Sequence, residues 1–144
     1  MAEDLGGQRR KLDAKGRLSL PSALAKQLPD DQRGFKVTTS PDGSCLYIFE
    51  SEKFKEWVHS LFEKQGGYST SNTAHTKMLS VLMSRGLYVE RDNADRIGLS
   101  ADQRKVVGID TDVVVFESLD WIEVWDVKRW EAHRNSIDIL SLFD

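Results

Sequence analysis

A short pattern occurs twice in this sequence of 144 residues and restricts how the chain can fold. The segment DAKGRLSL, from Asp13 to Leu20, aligns with DNADRIGL, from Asp92 to Leu99, 79 residues further along. Both segments read Asp, three residues, Arg, and then an apolar residue, a small residue and leucine. An internal repeat of this kind indicates two copies of one structural unit.

The similarity between the two copies continues beyond the repeated turn. The segment CLYIF from Cys45 to Phe49 aligns with WIEVW from Trp121 to Trp125, and Phe54 aligns with Trp130. The loop before this strand is three residues shorter in the second copy. Because surface loops tolerate deletions, the difference is compatible with a duplicated unit.

The residues after the first turn alternate in polarity. Leu18 and Leu20 fall on one face of a strand, and Arg17 and Ser19 fall on the other. Gly16 permits the backbone of a tight turn. The pattern therefore predicts that Arg17 points away from the core.

Further elements complete each unit. Pro21 suits the first turn of a helix. The last helix of the first unit should begin at Ser51 as its N-cap and end at Gly66-Gly67. The stripe Phe54, Trp57, Val58, Leu61 and Phe62 predicts its buried face. The other expected elements are short helices at 22–28 and 101–107, hairpin strands at 35–39 with 46–50 and 113–117 with 121–126, and a linking helix at 76–85.

The polar connector at 66–72 separates the copies and suggests four regions. We expect a first repeat at 1–66, a connector with a linking helix at 67–86, a second repeat at 87–136, and an apolar tail at 137–144.

The net charge of −3 hides a local excess of positive charge. Between residues 8 and 17, five Lys or Arg side chains occur with one acid, Asp13. No apolar run is long enough to cross a bilayer, and Cys45 is the sole cysteine, so an intramolecular disulfide is excluded. We expect a cytoplasmic protein with a basic surface at this turn.

The sequence contains no pattern typical of an enzyme. A phosphate-cradling glycine loop and a nucleophile elbow are both absent. His59, His75 and His133 are isolated and share no metal-ligand spacing with Cys45, which we assign to the core. We therefore expect no catalytic residues, metal, cofactor or small-molecule substrate.

These features resemble the MraZ family. The resemblance is carried by LDAKGRLSLP at 12–21, by the second Asp-x-x-x-Arg, and by IEVWD at 122–126 with Trp130. It implies an α+β fold, mainly β, in which two tandem AbrB-like swapped-hairpin units pack as a pseudo-two-fold barrel with peripheral helices. It also implies a nucleoid-associated bacterial regulator that binds promoter direct repeats as a homo-oligomeric ring and represses its own division and cell-wall gene cluster.

The candidate DNA contacts come from the residues and from this resemblance. Duplex DNA requires outward-facing cations on a rigid support, which Arg17 supplies. Asp13, Gly16 and Asp92 are assigned to shaping the turns, and a purely structural Asp–Arg pair is the alternative. The resemblance implies a further basic residue eight or nine positions after each turn arginine. The full set of candidate contacts is Arg17, Lys15, Lys11, Arg10, Arg9, Arg96, Lys26, Arg104 and Lys105.

The second turn is less basic than the first. It has Ala94 and Asp95 where the first has Lys15 and Gly16. We therefore expect the first turn to dominate DNA binding and the second to be mainly architectural.

Two other functions remain open. The chain could be an AbrB-like antitoxin or an oligomeric scaffold that does not bind DNA. The apolar residues from Ile137 to Phe143 suit either alternative, because they could dock on a subunit or a partner.

Overall fold

The computed structural model describes residues 7–144, which form eight strands and five α-helices. The strands are β1 Gln8–Lys11, β2 Arg17–Ser19, β3 Gly34–Thr39, β4 Leu46–Glu50, β5 Leu87–Glu90, β6 Arg96–Gly98, β7 Asp112–Glu117 and β8 Ile122–Asp126. The helices are α1 Ser22–Ala25, α2 Ser51–Ser60, α3 Thr73–Arg85, α4 Ala101–Val106 and α5 Val127–Ser136. Short 3-10 turns lie at Glu63–Gln65 and Ile139–Phe143.

The strands form two antiparallel sheets that mix both copies of the repeat. The larger sheet has the order β1-β7-β8-β4-β3-β5, and β2 pairs with β6 in the smaller one. Strand β1 precedes the first turn but pairs with β7 of the second copy, with Arg9 opposite Val114. Strand β5 pairs with β3 of the first copy, with Tyr88 opposite Lys36. Neither copy therefore builds the large sheet alone.

The expectation of a barrel is wrong, because the large sheet stays open. A closed barrel would require β1 and β5 to pair with each other. In the described part of the chain they pair only with β7 and β3. The three-residue strands β2 and β6 occupy the open side instead, and Leu18 and Ile97, which face each other there, are fully buried.

The main core lies between the large sheet and the β2–β6 pair. Leu18 and Leu20 are buried while the side chain of Arg17 is 32% exposed, which confirms the predicted facing of the first strand. Cys45 is also buried, as expected. Burial of large apolar side chains stabilises the fold by about 1.5–3 kcal/mol each. The cluster joins residues of both copies, including Phe35, Leu46, Ile97, Val113 and Val124.

A second, aromatic core lies between the sheet, α2 and α3. Phe49, Phe54, Val58 and Phe62 are buried there, in agreement with most of the predicted stripe. Leu61 is an exception at 40% exposed, because α2 ends at Ser60 and the chain continues as a 3-10 turn. Helix α2 therefore ends well before the predicted stop at Gly66-Gly67, and Gly66, with φ +84°, ends only the 3-10 turn.

Three other predicted helix boundaries need correction. Ser51 is the first residue of α2, and Glu50 occupies its N-cap position without a side-chain hydrogen bond. Helix α1 ends at Ala25 instead of residue 28. Helix α3 begins at Thr73 because the side chain of Asn72 accepts the amide of His75 at 3.2 Å and caps it. No helix among residues 7–144 is long and apolar enough to span a membrane.

Candidate nucleic-acid interface

The first turn is organised by the carboxylate of Asp13. Its Oδ1 accepts the backbone amides of Lys15 and Arg17, each at 2.9 Å. Its Oδ2 accepts Nε–H of the Arg17 guanidinium at 2.6 Å. Gly16 has φ +76°, a conformation that glycine adopts without steric cost. One side chain therefore fixes both the turn and the direction of Arg17.

The second turn repeats this arrangement. Oδ1 of Asp92 accepts the amides of Ala94 and Arg96 at 2.9 and 3.0 Å, and its Oδ2 accepts Nε–H of Arg96 at 2.8 Å. Asp95 takes the place of Gly16 with φ +56°. Asp95 is the one non-glycine residue with positive φ in the described part of the chain. The sequence repeat thus corresponds to a repeated three-dimensional motif.

Both organising carboxylates are held in their charged form. The backbone amide of Arg17, followed by its side chain and the amide of Lys15, lowers the pKa of Asp13 despite partial desolvation. The amide of Arg96 is the largest cause that lowers the pKa of Asp92. Each Asp–Arg pair is therefore close to neutral, and Lys15 gives the first turn its net positive charge.

The two turns lie side by side. The amide of Leu20 donates to the carbonyl of Asp95, and the amide of Leu99 donates to the carbonyl of Gly16, both at 3.0 Å. Strands β2 and β6 extend this contact, with Arg17 opposite Gly98. The two turns consequently form one surface, and neither projects as an independent loop.

The basic residues that follow each turn lie near the turn of the other copy. The Arg104 guanidinium lies over Gly16, where a Cβ would be 2.7 Å from Nη2, and its Nε donates to the carbonyl of Leu99 at 3.2 Å. Lys26 lines an open cavity of about 620 Å³ together with Asn93 and Ala94 of the second turn. Thus Arg104 adds positive charge near the first turn, and Lys26 adds positive charge near the second.

Two arginines that sequence reasoning missed support the second turn. Nη2 of Arg33 donates to the carbonyls of Arg91 and Asp92, each at 2.8 Å. Arg91, with 3% of its side chain exposed, donates to Asp95 Oδ1 at 3.1 Å and to the carbonyl of Pro29 at 2.7 Å. One signal was present in the sequence, because Arg91 aligns with the apolar Leu12 of the first copy.

The remaining candidate cations lie outside the paired turns. Arg9, Arg10 and Lys11 are on β1 at the edge of the large sheet, where Lys11 Nζ lies 4.0 Å from Asp112 Oδ1. Lys105 is exposed on α4, one residue after Arg104. The structure therefore groups Lys15, Arg17 and Arg104 at the first turn and Arg96 with Lys26 at the second.

His75 and Cys45 have structural surroundings. Nδ1 of His75 accepts the amide of Ser69 at 3.2 Å, which leaves Nε2 to donate to Gln65 Oε1 at 2.9 Å. The Cys45 thiol lies 3.9 Å from Glu123 Oε1. Across residues 7–144, no three His, Cys, Asp or Glu side chains are grouped as they would be in a metal site.

The chain is similar to curated bacterial proteins named Transcriptional regulator MraZ. It is 33% identical over 132 residues to the protein of Mycolicibacterium smegmatis, which covers 92% of this chain and 87% of that protein. It is 34% identical over 129 residues to the protein of Nocardia farcinica, covering 90% and 85%. It is 29% identical over 133 residues to the protein of Treponema denticola, covering 89% and 85%. No family model matches the chain.

Proposed function

The chain belongs to the MraZ family of transcriptional regulators, and we propose that it regulates transcription by binding duplex promoter DNA. The observation that carries this proposal is the first turn. There, Asp13 holds the guanidinium of Arg17 through Nε, and Lys15 is exposed two residues before Arg17. A preorganised arginine beside a free lysine suits phosphate contact, since less side-chain entropy is lost on binding.

Several cations can reinforce this contact. Arg104 lies over the first turn, and Arg9, Arg10 and Lys11 precede it on β1. Positive charge concentrated on one surface can bind DNA even though the whole chain carries −3. Asp13 acts as an orienting residue, because a carboxylate would itself repel phosphate.

We assign the second turn a mainly architectural role. Arg96 lies against Asp92 as Arg17 lies against Asp13, but no lysine accompanies it within that turn. Asp95 adds negative charge that is matched by the buried Arg91. Lys26 of the first copy lines a cavity together with residues of this turn and is the basic side chain that the first copy places near it. The second turn therefore has less positive charge to offer to DNA.

The resemblance and the strand order together support a finer description. We infer that the two repeats, with the boundaries expected from sequence, form AbrB-like swapped hairpins, and that subunits assemble into a ring on promoter direct repeats. Several turns on one assembly would bind with high avidity even if each turn is weak. We also propose that the protein represses its own division and cell-wall gene cluster and that it associates with the nucleoid.

The test is binding of the purified full chain to DNA from upstream of its own gene. We expect saturable binding that weakens steeply between roughly 50 and 200 mM salt, because each phosphate contact releases counterions. An unrelated duplex of equal length is the matched control, and it should bind more weakly. Absence of binding to the upstream DNA at low salt, with the protein folded, would overturn the proposal.

A scaffold function is the second candidate, and the tail is the observation that favours it. Leu140, Leu142 and Phe143 are 70–83% exposed, an apolar concentration suited to protein contact. An antitoxin would use the same segment to hold a toxin. Assembly without salt-sensitive DNA binding would select the scaffold function.

A further inference from the structure

The two outermost strands of the large sheet occupy equivalent positions in the repeat but have opposite chemical character. Strand β1, with sequence QRRK, aligns with β5, with sequence LYVE. Each pairs on one side only within residues 7–144. The other side of an edge strand presents backbone groups that can pair with a further strand.

The edge at β1 is open and basic. The carbonyl of Arg9 accepts a hydrogen bond from Nη1 of Arg10 at 2.9 Å, so a side-chain donor reaches the backbone there. The side chain of Lys11 is 78% exposed. Three positive charges on four residues disfavour pairing of this edge with a second β1, because like charges would face each other.

The edge at β5 is apolar and acidic. Leu87 and Tyr88 are 41% and 56% exposed, and Glu90 is exposed at the end of the strand. A neighbouring groove of about 600 Å³ is lined by two acids, Asp42 and Asp102, against one base, Arg85. The charge of this edge is thus complementary to that of β1.

Comparison of the two copies shows that the fold does not require these exposed apolar residues. Leu87 aligns with Gln8, and Val106, which is exposed beside Leu87 in the same groove, aligns with Gln27. The same structural positions therefore accept glutamine in the first copy. Exposure of leucine, tyrosine and valine on one copy alone indicates a contact surface.

Strand direction also suits a junction between these two edges. Each of the five strand pairs within the sheet is antiparallel, so β1 and β5 run in opposite directions. A second copy placed with its β1 beside β5 would continue the antiparallel ladder without interruption.

We propose that β1 of one copy pairs with β5 of the next, so that the sheets of successive subunits join edge to edge. The aliphatic stems of the β1 arginines would cover Tyr88 and Leu87, while their charges face Glu90. A contact between two different surfaces repeats from subunit to subunit and closes into a ring when the rotation allows. The proposal rests on the self-assembly proposed above. It places the β1 arginines at the junction, so that the DNA contact of the first turn depends on Lys15, Arg17 and Arg104.

Charge exchange tests the junction directly. Arg9→Glu and Glu90→Lys are each examined by light scattering after size exclusion at low salt, without DNA, because Arg9 lies diagonally across from Glu90 when it is opposite Tyr88 in an antiparallel junction. Each single change should raise the concentration needed for assembly roughly tenfold, and the double exchange should restore most of the loss. Lys55→Glu, an exposed change of equal charge on α2, should assemble as the unaltered chain does. Normal assembly of both single variants, or no recovery in the double variant, would overturn the proposal.

Cross-linking tests which edges meet. Arg9→Cys and Tyr88→Cys chains, checked for native circular dichroism, are mixed and oxidised gently. A covalent dimer that forms several-fold more in the mixture than with either variant alone is expected. The proposal would be overturned if either variant alone formed as much covalent dimer as the mixture, or if the mixture formed none. If this cross-link forms but the unaltered chain does not bind the upstream DNA, only the DNA function is overturned.

Discussion

Arg17 and Asp92 belong to different copies of the repeat, yet Nη1 of the arginine lies 4.0 Å from Oδ2 of the aspartate. Arg17 thus faces the carboxylate of the other turn as well as that of Asp13, which it contacts at 2.6 Å. The backbone hydrogen bonds between the turns hold this arrangement. A substitution in one turn should therefore also affect the structure of the other turn.

The organising carboxylates should make the turns sensitive to acid. Because the pKa of Asp13 and that of Asp92 are lowered in the folded chain, their contribution to stability is complete above the unfolded value of about 3.9. It should be lost as pH falls through the lower folded pKa values. We expect urea unfolding to show this loss below about pH 4, with little change between pH 5 and 8.

An asparagine variant isolates this effect. Asp13→Asn keeps the size of the side chain but cannot ionise, so its stability should depend less on pH in the acid range than that of the unaltered chain. Equal acid sensitivity in both proteins would show that other carboxylates are responsible.

Strain at Asp95 gives a second prediction. Asp95→Ala and Asp95→Gly both remove the carboxylate that pairs with Arg91, but alanine must adopt φ +56°. A left-handed conformation costs an alanine roughly 1 kcal/mol more than glycine. Urea denaturation should therefore rank the glycine variant as the more stable by about this amount. Equal stabilities would mean that the turn relaxes.

The structure predicts an unreactive cysteine. Burial, followed by the charge of Glu123, raises the pKa of the Cys45 thiol far above its usual range. Only the thiolate reacts readily, so a thiol reagent at pH 8 should label native protein far more slowly than protein in guanidinium chloride. Fast labelling of the native chain would show that the loop before β4 opens.

Gly86 gives a packing prediction. A Cβ at this position would lie 2.6 Å from Cζ of Phe54, a buried and rigid ring. Gly86→Ala should therefore lower the free energy of unfolding by about 1–3 kcal/mol through overpacking. Gly98→Ala is the matched control, because no atom lies within 4 Å of its Cβ position, and its effect should be smaller. Similar losses in both would contradict the account of this contact.

Local features of the fold followed from the sequence, and long-range pairing did not. The period-two alternation predicted that Leu18 is buried and Arg17 is partly exposed, as the structure has them. The exchange of β1 and β5 between copies lies beyond such patterns, because the ladders join strands that are distant in sequence. The resemblance implied a pseudo-two-fold barrel, but in the described part of the chain β1 and β5 each pair on one side only, so the large sheet stays open.

The candidate site also combines local features that the sequence predicted with long-range contacts that it did not. The repeated Asp-x-x-x-Arg marked the two turns, because the side chain and backbone contacts are local. The position of Lys26 in one cavity with the second turn, and that of Arg104 over the first turn, depend on how the copies cross. The support that Arg91 and Arg33 give to the second turn depends on the same crossing.

The most direct test of the account compares Arg17→Ala with Arg96→Ala on the same upstream DNA, at one salt concentration and with the oligomer verified. Arg17→Ala removes a charged contact at every turn that binds DNA. It should therefore weaken DNA binding roughly 10- to 100-fold. Arg96→Ala should have a clearly smaller effect, because its turn lacks an equivalent of Lys15. Unchanged affinity in Arg17→Ala would contradict the account.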